Sequence, residues 1–247
     1  MKKVWILITV MSMMVCVVQT VEAADATAAV DFNSAYVWRG MTLNDGMVVQ
    51  PSIDVTKGGF DINVWGNIDI DDYDDTLESG EMSEIDLTAS YSFTLSMVDV
   101  GVGYIEYLWP TTEKSGMPGT REVYISLSMG LPADLSIALD WYYDFDEVDT
   151  YYSVLGVSYS HNFSEQLSLD AGASIAYAGD EYCGDGSAGF YDYNLSLSIG
   201  YAITEALSAS ASINYVDSFD DDKLVDVDDG GTLDVNVYGG VGISYAF

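Results

Sequence analysis

Basic side chains are scarce. Seven Lys and Arg stand against 40 Asp and Glu, a formal net charge of -33. A chain so charged excludes a nucleic-acid partner, because binding to phosphate requires a basic footprint. One His and two Cys argue against a His/Cys metal centre and against a disulfide scaffold. Proline is limited to four residues, no Pro/Ser-rich linker divides the chain, and no segment carries a helical apolar stripe. Wholesale disorder is excluded from the other side: hydrophobic residues make up 49% and aromatics 13%, with 19 Tyr.

What is present begins with a targeting segment. Lys2-Lys3 precedes an almost wholly apolar run from Val4 to Val18, and Val21-Glu22-Ala23 places small residues where a signal peptidase reads. The run is shorter than the ~20 residues of a spanning helix. Residues 1–23 therefore read as a secretory signal peptide, and 24–247 as one domain. Cys16 follows the bulky Val15, which speaks against a lipidation site, and cleavage leaves Cys183 as the single cysteine.

The rest alternates with period 2. In 60–70, Phe60, Ile62, Val64, Gly66, Ile68 and Ile70 oppose Asp61, Asn63, Trp65, Asn67 and Asp69. Such alternation predicts strands with one apolar face. Twelve are predicted, over 28–39, 47–56, 60–70, 84–93, 96–108, 120–129, 135–144, 150–160, 167–178, 190–201, 207–217 and 232–247. Their connections also alternate. Short ones lie at 57–59, near Thr94, and at 130–134, 161–166 and 201–206. Longer ones lie at 40–46, 71–83, 109–119, 179–189 and 218–231, with a short acidic link at 145–149.

This rhythm predicts an all-β fold: a transmembrane antiparallel up-and-down β-barrel with short periplasmic turns and mostly longer external loops. Lipid offers no partner to an open strand edge, so the first and last strands must pair. A soluble sandwich also alternates, but it leaves the turn rhythm unexplained. Tyr36, Trp38, Tyr104, Tyr107, Trp109, Trp141, Tyr143, Tyr151, Tyr177, Tyr191 and Tyr215 gather toward the long loops, where amphipathic rings form a headgroup girdle. Tyr91, Tyr159, Tyr201 and Tyr245 supply the other end.

The segment Asn33-Ser34-Ala35-Tyr36-Val37-Trp38-Arg39-Gly40-Met41-Thr42, followed by Val49-Gln50-Pro51-Ser52-Ile53-Asp54, resembles the opening of a family of uncharacterised bacterial outer-membrane barrel proteins that begin with a Tyr-Val-aromatic-Arg-Gly strand. The resemblance is strongest over residues 30–70. It implies the outer membrane of a Gram-negative-type bacterium and brings no established activity or binding residues. Phe247 resembles the terminal aromatic by which the barrel assembly machinery recognises many barrels, so that machinery and outer-membrane lipid are the implied partners.

In a barrel the polar faces turn inward. The predicted phase points Asp31, Asp54, Asp61, Asp86, Glu122 and Asp140 into the lumen, with Arg39 as its one basic residue on the upper part of strand 1. Arg39 among carboxylates has two readings: part of a constriction or ligand clamp, or a strut that limits carboxylate repulsion. Many Gly, Ser and Ala share the inner face, while Trp65, Tyr124, Tyr142, Tyr152 and Tyr238 are large enough to close part of it. Glu106 breaks the phase. Either a bulge near Tyr104-Ile105 returns it inward or it lies above the membrane.

The long connections are acidic. Asp71, Asp72, Asp74 and Asp75 in one and Asp226, Asp228 and Asp229 in another supply hard carboxylates that suit Ca2+. The plain alternative is a solvated surface screened by bulk cations. No other cofactor is expected. His161 falls in a short turn, away from the long loops, so Ser/His hydrolase chemistry finds no footing and no enzyme is expected. Two functions fit the pattern. One is a narrow channel or porin for small cationic or neutral solutes. The other is a non-conducting structural or binding barrel that acts through its acidic external loops.

Overall fold

The computed structural model describes residues 24–70, 79–110, 119–224 and 233–247. Among these residues twelve antiparallel strands close a barrel, and two short strands form a separate hairpin. The wall begins with β1 (Asp25–Asn33); the hairpin follows as β2 (Tyr36–Trp38) and β3 (Met41–Asn44). The chain rejoins the wall in β4 (Val48–Lys57), β5 (Phe60–Asp69), β6 (Met82–Leu95) and β7 (Val98–Leu108). It continues in β8 (Thr120–Leu131), β9 (Leu135–Asp144), β10 (Tyr151–Asn162) and β11 (Leu167–Ala178). The last three are β12 (Gly189–Ala202), β13 (Leu207–Ser218) and β14 (Val237–Ala246).

Closure runs through β1 and β14, with Thr27 opposite Ala246 and Asn33 opposite Gly240. Each remaining wall strand pairs with its neighbours in the chain, the hairpin being skipped where β1 pairs with β4. Backbone groups thus find partners without water, which is the condition for crossing hydrocarbon. The tightest turn shows how local chemistry sets the register. Lys57 pairs with Phe60 across Gly58-Gly59, both at positive φ (56° and 87°), the backbone that a two-residue hairpin turn requires.

The outer face is apolar. Leu139, Leu155, Leu197, Ile199, Val241 and Ile243 are all exposed on it. Trp141 stacks on Tyr143, and Tyr151 on Tyr177, toward the loop ends; Tyr91, Tyr201 and Tyr245 are exposed toward the short turns. A cation in the middle of this belt meets lipid. Leu155→Arg, between Leu139 and Ile175 on the neighbouring strands, is expected to destabilise the folded barrel by about 2–4 kcal/mol, read as a shift in urea unfolding in lipid.

Three expectations are corrected. The first strand leaves the wall at Asn33 and does not run to residue 39; Ser34 N donates a last bond to Gly239 O (2.9 Å), and the chain then folds into the lumen. Tyr36, Trp38, Tyr107 and Tyr191 therefore do not belong to the lipid girdle: Tyr36, Tyr107 and Tyr191 are buried, and Trp38 packs edge-on against Tyr107. The last strand starts at Val237, because residues 234 and 235 are held instead by the hairpin, both backbone N–H groups donating to Thr42 Oγ1 at 3.0 Å. Glu106 is settled by register: β7 and β8 pair without a shift through Tyr104 and Ile105, so Glu106 faces outward opposite Arg121. Arg121 Nε donates to Glu106 Oε1 at 3.1 Å and its Nη1 to Asp146 Oδ2 at 3.0 Å. These pairs are solvated and contribute little.

Candidate functional site

The hairpin closes on a two-residue turn, with Trp38 opposite Met41. Arg39 and Gly40 form its tip at φ +49° and +72°. The glycine is forced: a Cβ there would lie 3.1 Å from Asp192 Cβ on the wall, in a backbone conformation that side chains disfavour. Arg39 adopts the left-handed region without that excuse, at a cost of about 1–2 kcal/mol.

Its surroundings offset the strain. The guanidinium binds Glu122 of β8 in the fork-to-fork manner, Nη1 to Oε1 at 2.6 Å and Nη2 to Oε2 at 2.7 Å. Tyr107 OH of β7 donates to the same carboxylate at 2.9 Å. Four rings surround the cation: Trp38 at 4.4 Å, Tyr152 at 4.6 Å, Tyr142 at 4.7 Å and Tyr182 at 5.9 Å from Cζ. Only 8% of the Arg39 side chain is exposed. Each ring contributes of order 0.5–2 kcal/mol to a desolvated cation. Tyr182 comes from a short 3-10 turn (Asp180–Tyr182) in the connection after β11, so an external loop caps the cage.

The arms of the hairpin are bonded to the opposite side of the wall. Tyr36 OH donates to Glu84 Oε2 of β6 at 2.9 Å, and its ring packs on Trp65 at 5.5 Å. Asn44 Nδ2 donates to Asp69 Oδ1 at 2.8 Å, an oxygen shared with Asn67 Nδ2 at 2.9 Å. Gln50 then links Asn67 to Asn33 of β1. Asp69 is fully buried, and its Oδ2 has no hydrogen-bond partner among the described residues. The hairpin thus spans the lumen from β4–β6 to β8–β12.

A bulge in β12 supplies two of the groups at its tip. Ile175 pairs with Tyr193 and Tyr177 with Phe190, so Tyr191 and Asp192 together face Ala176. Both are buried: Tyr191 packs against Tyr152 and Tyr182, and Asp192 accepts the Tyr152 hydroxyl. Outside the barrel, Lys223 Nζ donates to Asp185 Oδ2 (2.7 Å), Ser187 O (2.8 Å) and Ser187 Oγ (2.7 Å), clasping the connection that carries Tyr182. The Lys223 bond holds the Asp185 carboxyl down at about 2, so the clasp persists at neutral pH and is lost only as pH falls through that value.

Toward the short turns the lumen is hollow. A cavity of about 410 Å3 lies beneath the hairpin tip, reaching from Arg39 to Ser174, Asn194 and Tyr238. A second, of about 230 Å3, shares Val154, Ser174 and Asn194 with it and extends along Asp140, Gly156 and Ser196. A third, of about 310 Å3, lies near the short turns between Asp31, Ser168, Ser210 and Ser244.

The seven lumen residues expected from sequence are therefore dispersed. Glu122 binds Arg39 directly, and Asp86 lies beside Glu84 beneath the hairpin arms. Asp140 and Asp31 line separate cavities. Asp54 accepts from Asn63 Nδ2 at 2.7 Å, and Asp61 faces Thr56 and Ser90, both toward the short turns. The residues proposed for Ca2+ (Asp71, Asp72, Asp74, Asp75, Asp226, Asp228 and Asp229) lie outside the described residues. Trp38, Tyr107 and Tyr182 were not expected at the site. The available signal was Arg39-Gly40 itself, a dipeptide that can form the tip of a two-residue turn when flanked by alternating strands.

A closed antiparallel barrel with an apolar outer belt, a polar lumen and an inward-folded hairpin defines an outer-membrane β-barrel protein. More particularly, the chain belongs to the family described as "Bacterial protein of unknown function (Gcw_chp)", whose model matches residues 19–240. No curated protein matches it by sequence. Among solved structures it is similar to the KdgM porin, with TM-score 0.56 and 13% identity over 90% of this chain and 99% of that one. The NanC porin gives TM-score 0.56 and 11% identity, again over 90% and 99%. An outer membrane channel from Pseudomonas putida F1 gives 0.51 and 10%, over 92% and 97%. At these identities the likeness is one of fold.

Proposed function

We propose that the protein is a narrow outer-membrane channel for small cationic or neutral solutes, with the Tyr36–Asn44 hairpin as its constriction. The observation that carries this reading is the hollow, small-residue lumen on the short-turn side of the hairpin, next to the packed cage at its tip. A barrel serving only as a scaffold has no need of inward Gly156, Gly172, Ser174 and Ser196, which leave the middle of the lumen empty. The solved structures of similar fold include two porins and a channel, which agrees with the reading.

Solute class follows from charge. Arg39 is neutralised by Glu122, while Asp31, Asp54, Asp61 and Asp140 face the lumen without a cationic partner among the described residues. A water-filled passage lined this way attracts cations. In planar bilayers holding the refolded chain 24–247, the expected result is a small steady conductance whose reversal potential in a KCl gradient reports cation selectivity. Arg39→Ala should raise the conductance, because the cage that closes the hairpin tip loses its centre. Silence at every voltage, in protein with heat-modifiable gel mobility, would overturn the channel reading and leave a non-conducting barrel acting through its loops.

A further inference from the structure

We propose that Arg39 is the tethered occupant of a cation-recognition site, and that the cage around it binds free planar cations of the guanidinium class when Arg39 is removed or withdrawn. Binding itself does not depend on conduction; its meaning for permeation rests on the channel reading above.

The geometry separates a recognition site from a strut. A cation placed only to relieve repulsion needs to be near acids but needs no directed fork and no aromatic faces. Arg39 does lie near two further acids, Asp86 and Asp192, but its fork is aimed at one carboxylate, Glu122, at 2.6 and 2.7 Å. The rings of Trp38, Tyr152 and Tyr142 lie 4.4, 4.6 and 4.7 Å from its Cζ. A planar fork facing a carboxylate, with rings over the delocalised charge, is the way a protein recognises a guanidinium group as a ligand. The greater part of the cage belongs to the wall and its cap and not to the hairpin: Glu122 and Tyr142 with Tyr107 and Tyr152 from four strands, and Tyr182 from the connection above.

Two further observations fit an occupant that is held in place but free to leave. Arg39 is delivered on a turn in which its own backbone is strained, so the side chain's interactions, and not local preference, hold it there. The cavity of about 410 Å3 opens directly beneath it and gives a small ion a route from the lumen. Tethering gives the built-in guanidinium a high effective concentration, so a free ion competes poorly while Arg39 is present.

The test uses the refolded chain 24–247 in detergent micelles as wild type and as Arg39→Ala. Guanidinium chloride is titrated at millimolar concentration against NaCl of equal ionic strength, with urea as the uncharged planar control. The readout is tryptophan fluorescence, assigned to Trp38 by its loss in Arg39→Ala/Trp38→Phe. The expected result is a saturable change in Arg39→Ala, none in wild type and none with urea. A linear response of equal size in both proteins, or an equal response to urea, would overturn the proposal. If Arg39→Ala refolds poorly, Arg39→Gln replaces it. Refolding of either variant only with guanidinium present would also support the cage, and failure of both despite the ion would count against it. Planar bilayers separate the two readings. Saturable binding without conductance removes the channel and keeps the site, and conductance without saturable binding does the reverse.

Discussion

Excising the hairpin is expected to raise conductance several-fold while leaving the barrel folded. β1 and β4 are already paired from Asp25 opposite Thr56 to Asn33 opposite Val48, so a short Asn-Gly turn can join residue 33 to residue 48 without changing the register of the wall. The deletion removes Tyr36, Trp38 and Arg39, which fill the lumen between β6 and β12. Asp69, Glu84 and Glu122 lose their hairpin partners, but the same deletion admits water to them, so they are not left charged in a dry interior. The measurement is single-channel conductance, with heat-modifiable migration as the check on folding. An unchanged conductance in folded protein would locate the obstruction outside the hairpin.

The second large effect concerns stability. Glu122→Ala should destabilise the folded protein by about 3–5 kcal/mol, because it strands a guanidinium whose side chain is 8% exposed. Removing both charges behaves differently. The pair Arg39→Met with Glu122→Leu should recover most of that loss, since the desolvation cost of two ions disappears together with their attraction. Urea unfolding in lipid of wild type, Arg39→Met, Glu122→Leu and the double variant forms a double-mutant cycle, and a coupling of a few kcal/mol is expected. A loss below about 1 kcal/mol for Glu122→Ala would mean that the pair behaves as a solvated surface contact. Conductance should rise as stability falls in Glu122→Ala, because the carboxylate that holds the hairpin tip is the group removed.

Much of the wall was legible in the sequence. Strict alternation in 60–70, 85–93 and 191–201, with short turns alternating with long connections, leaves few arrangements other than a closed meander. The inward positions of Asp54, Asp61, Asp86, Glu122 and Asp140 follow from the same phase. The phase fails at Tyr191. Gly189 to Ala202 looks continuous in one dimension, and only pairing with β11 shows that Tyr191 and Asp192 share a single opposite residue. A bulge is a property of two strands, and the sequence of one strand does not display it.

Composition and periodicity alone determined the all-β class, the apolar belt and the acidic lumen, because each depends on local alternation or on summed charge. The constriction depends on something else. Residues 28–39 alternate in the same way whether the chain climbs the wall or folds into the lumen, since both are extended backbone with period 2. What decides between them lies far along the chain: Glu84 is 48 residues from Tyr36, and Glu122 is 83 residues from Arg39. Only the folded barrel brings β7, β8, β9 and β10 around the hairpin tip. There a buried guanidinium gains a carboxylate and its rings, and that gain outweighs the strain of the turn that delivers it.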